Sequence, residues 1–402
     1  MNSIKKIAIL LVLPALVKTA AAQTTDKSNL LGQMNTITTA VPFLMISPDA
    51  RAGGMGDQGV SSAPDANSNH WNPSKLAFVE KKSGFAVSYT PWLKALVNDI
   101  FIGYVGGYSR LKNDQAIGGS LRYFSLGNIT FTNDKGDVLR DFKPNEFALD
   151  LSYSRKLSKN FSGGIALRYI HSNLTGGIDV QGSASKAGNT VAADVSGYYQ
   201  TEIEIGSKEA IFTSGFNISN IGAKISYTET GTKNFIPTNL RIGPGLKMQL
   251  NEYNELAFHL DFNKLLVPTP PIYGTDTNGS GTDELIIYGE DPNVSVAQGI
   301  FQSFSDAPGG GKEELQEINI AFGMEYWYDK QFAFRGGYFY ENKLKGNRQY
   351  FTLGVGLRYN VFGIDLAYLI PTEQRNPLEN TLHFTLSFDF DAFDEQKNKD
   401  AE

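Results

Sequence analysis

From about Gly84 to Phe390, large apolar side chains recur at every second position in runs of roughly ten residues. Successive strand side chains face opposite ways, so each run presents one greasy face and one small or polar face. Phe147, Leu149, Leu151 and Tyr153 alternate with Ala148, Asp150, Ser152 and Ser154. Phe351, Leu353, Val355, Leu357 and Tyr359 alternate with Thr352, Gly354, Gly356 and Arg358. The cleanest run sets Leu382, Phe384, Leu386, Phe388 and Phe390 against His383, Thr385, Ser387 and Asp389. Roughly fourteen segments follow from this pattern, an even number as in single-chain bacterial barrels. They begin near Gly84, Asp99, Gln115, Asn145, Phe161, Thr190, Glu209, Thr238, Asn254, Leu315, Gln331, Gln349, Val361 and Glu379.

The connections sort by parity. Even-numbered ones are mostly short, as at Lys156 to Asn160, Asn251 to Tyr253 and Asn360, with a longer one at Thr201 to Lys208. Odd-numbered ones are longer: Pro91 to Asn98, Ser125 to Pro144, Ser172 to Asn189, Asn220 to Pro237, Lys264 to Glu314 and Pro371 to Leu378. Short periplasmic turns opposite long external loops are the signature of an outer-membrane barrel, and a soluble sandwich has no reason to alternate so. The expected fold is therefore all-β, a transmembrane antiparallel β-barrel of about fourteen strands.

The polar faces carry Arg122, Asp150, Arg168, Asp194, Arg241, Lys247, Asp261, Glu325, Arg335, Arg358 and Asp365. Charge in lipid is costly, so these side chains should face the lumen. Their mixed signs predict a salt-bridged or plugged interior. The segment before the first strand is the expected plug, and Arg51, Asp57 and Trp71 from it join Arg122, Arg168, Asp261, Arg335 and Arg358 as candidate lumen-network residues. Tyr89, Tyr108, Tyr123, Tyr153, Tyr169, Tyr326, Tyr340, Tyr359 and Tyr368 sit near segment ends, where aromatic girdles form.

The amino terminus reads as an export signal. Lys5 and Lys6 precede an apolar core from Ile7 to Val17, too short to span a bilayer as a helix, which needs about twenty residues. Ala20-Ala21-Ala22 places cleavage before Gln23. The expected division is a signal peptide at 1–22, a periplasmic or plug segment at 23–83, the barrel at 84–390 and a polar periplasmic tail at 391–402.

Composition narrows the function. The chain has no cysteine, which excludes disulfides and thiolate chemistry, and its net charge of −6 with no long basic block argues against nucleic acid. Gly54-Met55-Gly56-Asp57-Gln58-Gly59 fits a dinucleotide fingerprint but lacks the βαβ frame that such a site requires, so a close-packed glycine turn is the better reading. Asp65, Asn67 and Asn69 open like a calcium loop, but His70 and Leu76 stand where its glycine and glutamate belong. Asx turns and an Asn72-Pro73 turn are expected instead. His70, His171, His259 and His383 show no metal-ligand spacing, and no nucleophile elbow or paired carboxylates appear. No catalytic, cofactor or metal site is expected. Pro91 to Val97 is an apolar external loop, either packed over the barrel mouth or displaying Trp92, Leu93 and Leu96 for partner docking.

The stretch ITTAVPFLMISPDARAGGMGDQGVSSAPDANSNHWNPSK ending at Lys75 resembles the amino-terminal signature of the PorV (LptO) family of the Bacteroidota type IX secretion system. SYTPWLKALVNDI, LRYFSLGNITFT and KPNEFALDLSYSRKLSKNFSGGIALRYI resemble the same family, as does the run Ser185-Lys186-Ala187-Gly188. The likeness spans nearly the whole mature chain. It implies a FadL-like fourteen-stranded barrel in outer-membrane lipid and a non-enzymatic role. Implied partners are a SprA/Sov-like translocon barrel, a PorU-like sortase attachment complex and the C-terminal domains of secreted cargo. The competing expectation is a FadL-type transporter of fatty acids or other hydrophobic small molecules, for which Gly243-Pro244-Gly245 would supply a strand kink and a lateral opening.

Overall fold

The computed structural model describes residues 34–112, 114–132, 135–177, 184–229, 231–274 and 285–390. The export signal, its cleavage site and the tail at 391–402 lie outside the described residues. Among the described residues eighteen strands run in chain order: β1 (Ser83–Pro91), β2 (Ile100–Leu111), β3 (Gln115–Leu126), β4 (Ile129–Thr132), β5 (Val138–Phe142), β6 (Asn145–Lys156), β7 (Phe161–Asn173), β8 (Gly188–Ile205), β9 (Lys208–Gly222), β10 (Asn239–Gln249), β11 (Asn254–Leu265), β12 (Ile272–Gly274), β13 (Leu285–Tyr288), β14 (Asn319–Tyr328), β15 (Phe332–Tyr340), β16 (Gln349–Tyr359), β17 (Phe362–Pro371) and β18 (Leu382–Asp389). Four short helices accompany them: α1 (Ala50–Gly53), α2 (Ser68–Trp71), α3 (Val296–Gln302) and α4 (Gly311–Gln316).

Fourteen strands form a closed antiparallel barrel; β4 with β5 and β12 with β13 are separate hairpins within the long loops. Each barrel strand pairs with its sequence neighbour, and β1 meets β18 from Gly84↔Asp389 to Tyr89↔Phe384. Closure leaves no unpaired edge in lipid, the condition for any sheet to span a membrane. Phe85 staples this seam, stacking on Phe388 at 4.5 Å and on Phe390 at 5.6 Å. The outward face is the apolar one: Leu149, Leu151, Leu167, Phe351, Leu353 and Phe384 are exposed, while their neighbours turn inward and are buried. No helix among the described residues is long and apolar enough to cross a membrane.

The turn end carries tight connections. Asp329 and Lys330 both adopt φ of +52°, the two-residue turn whose twist suits a hairpin. Two segment starts differ from the sequence reading, and one of them is β18, which begins at Leu382 and not near Glu379. The residues near Leu315 form α4, and β14 begins at Asn319, because Gly310 and the acidic pair Glu313 and Glu314 open a helical turn first. Tyr108 is buried against the plug and not in a girdle, whereas Tyr89, Tyr123, Tyr153, Tyr169, Tyr359 and Tyr368 face outward.

The described chain threads the lumen from one mouth to the other. At the loop end the Asn35 amide donates to Leu344 O and its Nδ2 donates to Glu313 Oε1, both at 2.9 Å. At the turn end Arg110 Nη1 donates to Glu80 O at 3.2 Å, just before β1 begins. Between these points α1, α2 and two 3₁₀ turns, Pro42–Met45 and Pro73–Phe78, are nearly all buried.

Candidate functional site

Three layers of contacts join the plug to the wall. The loop-side layer is apolar. Phe43 and Leu44 pack with Ile102, Phe124, Ile170, Ile225 and Ile236 into a collar, and Phe43 stacks on Phe124 at 6.2 Å. A second cluster holds Phe339, Tyr350, Leu369 and Leu378. Trp92 packs against both clusters and Leu93 against the second. Leu96 and Val97, at the tip of the same loop, are exposed, Leu96 by 65%. The loop thus divides between covering the mouth and presenting an apolar tip.

The middle layer is a polar network. Arg122 Nη1 donates to Phe43 O at 3.1 Å and Leu44 O at 2.7 Å, and its Nη2 meets His70 Nδ1. Arg168 pairs with Asp150 at 2.5 Å and Asp194 at 3.1 Å, and it reaches the Asn220 side-chain oxygen. Asp194 faces inward by the alternation of β8, and a bulge on β9 opposite it, where Asn220 has φ of +61°, brings the Asn220 amide to that carboxylate at 2.8 Å. Asp261 Oδ2 accepts the amides of Gly59 and Val60 at 2.8 and 3.0 Å. Trp71 Nε1 donates to Asp49 Oδ2 at 2.6 Å, and the Arg241 guanidinium lies 4.4 Å over the Trp71 ring. Asp57 Oδ2 accepts the Tyr350 hydroxyl at 2.5 Å.

The turn-side layer is a chain of ion pairs. Arg51 binds Asp65 and Glu325, each at 2.8 Å. Glu325 also binds Arg335, Arg335 binds Asp365 at 2.8 Å, and Asp365 binds Arg358 at 2.7 Å. The structure therefore sets Arg51, Arg335 and Arg358 in one network, while Asp57, Trp71, Arg122, Arg168 and Asp261 sit in separate contacts higher in the lumen. Below the network a cavity of about 400 Å³ opens at the turn mouth.

The glycine turn behaves as a spacer. Gly54 abuts Gly354 Cα, and an added Cβ at Gly56 would fall 2.7 Å from Tyr338 N. Asn72 Oδ1 accepts the Ser74 amide at 3.1 Å, the expected Asx turn. Among the described residues no three His, Cys, Asp or Glu are grouped to hold a metal. The ladder between β10 and β11 skips Gly243 and Pro244, the latter having no amide to give, yet a Cβ at Gly243 would collide with the Leu260 carbonyl. The interruption leaves the wall shut.

Sequence reasoning missed Lys75, whose Nζ donates to Gly59 O at 2.8 Å and Ser62 Oγ at 3.0 Å, fully buried. A lone lysine in a polar segment carries no signal of burial. It also missed an ionic latch at the loop mouth. There Lys264 binds Glu314 at 2.9 Å and Glu317 at 2.6 Å, and Lys345 binds Glu313 at 2.5 Å and Glu317 at 2.9 Å. Beside it Asp306 accepts the Thr269 amide at 3.0 Å; burial, followed by Glu314 and Glu317, pushes its carboxyl up to about 7 despite that hydrogen bond.

The sequence profile of the family described as "Type IX secretion system protein PorV" matches residues 29–272, more than half of the chain. The chain belongs to the PorV family. It is accordingly an outer-membrane component of type IX secretion, associated with that machinery. No curated protein shows a significant match. Among solved structures, this PorV-family chain is similar to the Pseudomonas putida toluene transporter TodX, at 11% identity and TM-score 0.47, covering 88% of this chain and 98% of that one. It is also similar to the Ralstonia pickettii toluene transporter TbuX, at 11% identity and TM-score 0.45, with 85% and 97% covered. A Pseudomonas aeruginosa FadL homologue matches at 12% identity and TM-score 0.41, with 89% and 100% covered.

Proposed function

We propose that this barrel is a non-enzymatic shuttle. It receives secreted cargo at the type IX translocon through the cargo's conserved C-terminal domain and delivers it to the sortase attachment complex on the cell surface. Membership in the PorV family carries this reading. Two features support it. The loop tip at Leu96 and Val97 offers exposed apolar surface at the mouth from which a neighbouring barrel is reached. The lumen is crossed by buried ion pairs and closed by the collar around Phe43, which suits a scaffold better than a conduit.

A transporter of hydrophobic small molecules would need an apolar path and an opening in the wall. The plugged, charged interior and the shut β10–β11 ladder weigh against it. Deleting the gene decides between the two. Loss of surface display of cargo bearing type IX C-terminal domains, with fatty-acid uptake intact, is expected. Normal display with impaired uptake would reverse the choice.

A further inference from the structure

We infer that the periplasmic end of the β8–β9 hairpin is a docking site for a basic, extended segment of a periplasmic protein. Short turns mark the periplasmic end of an outer-membrane barrel. At that end β7 pairs with β8 only as far as Phe161↔Tyr199, and β10 pairs with β9 only as far as Met248↔Ala210. Beyond Gln200, whose amide still donates to Asn160 O, the outer edge of β8 from Thr201 to Ile205 has no strand beside it among the described residues. There β8 stays paired to β9 through Glu202↔Ile211, Ile203↔Ala210, Glu204↔Glu209 and Ile205↔Lys208, and on β9 only Lys208 and Glu209 lie past the last β10 pair. On its β8 side the hairpin therefore stands clear of the barrel rim with an open strand edge, a template for strand addition.

Its two faces differ. Ile203 and Ile205 continue the outward column of Val195 and Tyr199, so lipid and its headgroups occupy that side. Glu202, Glu204 and Glu209 occupy the lumen-facing side, with Glu204 directly opposite Glu209. Like charges opposed across two strands are destabilising. The one cation lining the same recess, Lys247, is already paired with Glu255 at 2.6 Å. Three carboxylates are thus left in surplus around a recess of about 560 Å³. The adjoining cavity at the turn mouth shares Ile211, Lys247 and Glu255 with it, and is also lined by buried Asn67, whose Oδ1 has no hydrogen-bond partner among the described residues.

Glu202, Glu204 and Glu209 around the hairpin recess are all hydrogen-bond acceptors. Ammonium and guanidinium groups donate charge-assisted hydrogen bonds to carboxylates and fit these acceptors. Lysines or arginines at alternate positions of an added strand repeat every ~6.6 Å on one side, the spacing of Glu202 and Glu204. Charge supplies the attraction and the open edge supplies the register.

The test uses the full-length protein in nanodiscs of zwitterionic lipid and a fluorescent peptide of sequence Lys-Thr-Lys-Thr-Lys-Thr-Lys, followed by anisotropy. Saturable binding is expected, weakened about tenfold or more by the triple change Glu202→Gln, Glu204→Gln and Glu209→Gln. The loop-side control Glu373→Gln should bind as the parent does. An isomeric peptide with its four lysines contiguous should bind more weakly, because its charges cannot all face one side. Heat-modifiable migration on gels reports that each variant is folded. Equal affinity of the parent and the triple variant would overturn the site, and equal affinity of the two peptides would overturn strand addition.

Discussion

Arg51 grips Glu325 with two parallel hydrogen bonds, Nε to Oε1 at 2.9 Å and Nη2 to Oε2 at 2.8 Å. The pair joins α1 of the plug to β14 of the wall, and both side chains are buried. Removing one partner of such a pair strands the other, at about 3–5 kcal/mol. Arg51→Met should lower barrel stability by about that much in urea unfolding, discounted because Arg335 still faces Glu325. The double change with Glu325→Met should recover part of the loss. A change under about 1 kcal/mol in Arg51→Met would mean the plug is held by its apolar collar alone.

Gly56 has φ of +71°, and a side chain there would press on the backbone of Tyr338 and Phe322. Gly56→Ala should cost about 2 kcal/mol or more, combining left-handed strain with overpacking. The same unfolding measurement checks it. Gly136→Ala also has positive φ, but meets nothing within 4 Å and should cost less.

The docking role of the loop after β1 separates by residue. Leu96→Asp should leave the barrel folded and heat-modifiable while abolishing copurification with the translocon, because Leu96 contributes exposed surface. Trp92→Ala should cost stability, since its ring packs on both apolar clusters. Copurification unchanged in Leu96→Asp would refute docking through this tip.

Asp306 makes the loop-side cap sensitive to pH. Its carboxyl is pushed up from 3.8 to about 7, so the folded cap favours the protonated form. The stabilisation is complete below about pH 4 and is lost as pH rises through 7. Hydrogen exchange of α3 and α4, corrected for the intrinsic rate, should be faster at pH 8 than at pH 5.5. Asp306→Asn should flatten most of that difference, because the amide stays neutral and still accepts from Thr269. Glu314, also pushed up by burial, accounts for the remainder.

Much of the barrel was legible because lipid enforces a period of two on every strand. Twelve of the fourteen named starts, all but Leu315 and Glu379, fall within two residues of a strand start. Inward charges such as Arg168 and Asp365 were legible for the same reason. What the pattern could not deliver was pairing across the lumen. That Arg51 meets Glu325, 274 positions away, depends on how the plug threads, and no local period encodes it. The stretch from Thr201 to Lys208 read as a longer connection, yet its Ile203 and Ile205 already alternated with Glu202 and Glu204. The strands continue to Gly206, at φ of +68°, and Ser207. Tyr108 misled in the other direction, since a tyrosine near a strand end looks the same from either face.

The threaded plug also limits how it can enter or leave. The segment from Asn35 to Glu80 is held at both mouths and buried between them. Once the first and last strands zip together there is no side entrance, so the closed ring admits or releases that segment only lengthwise through a mouth. The Ala50 amide donates to Thr385 Oγ1 at 2.9 Å, and Thr385 sits opposite Ser88 in that zipper, so the plug itself takes part in shutting the door.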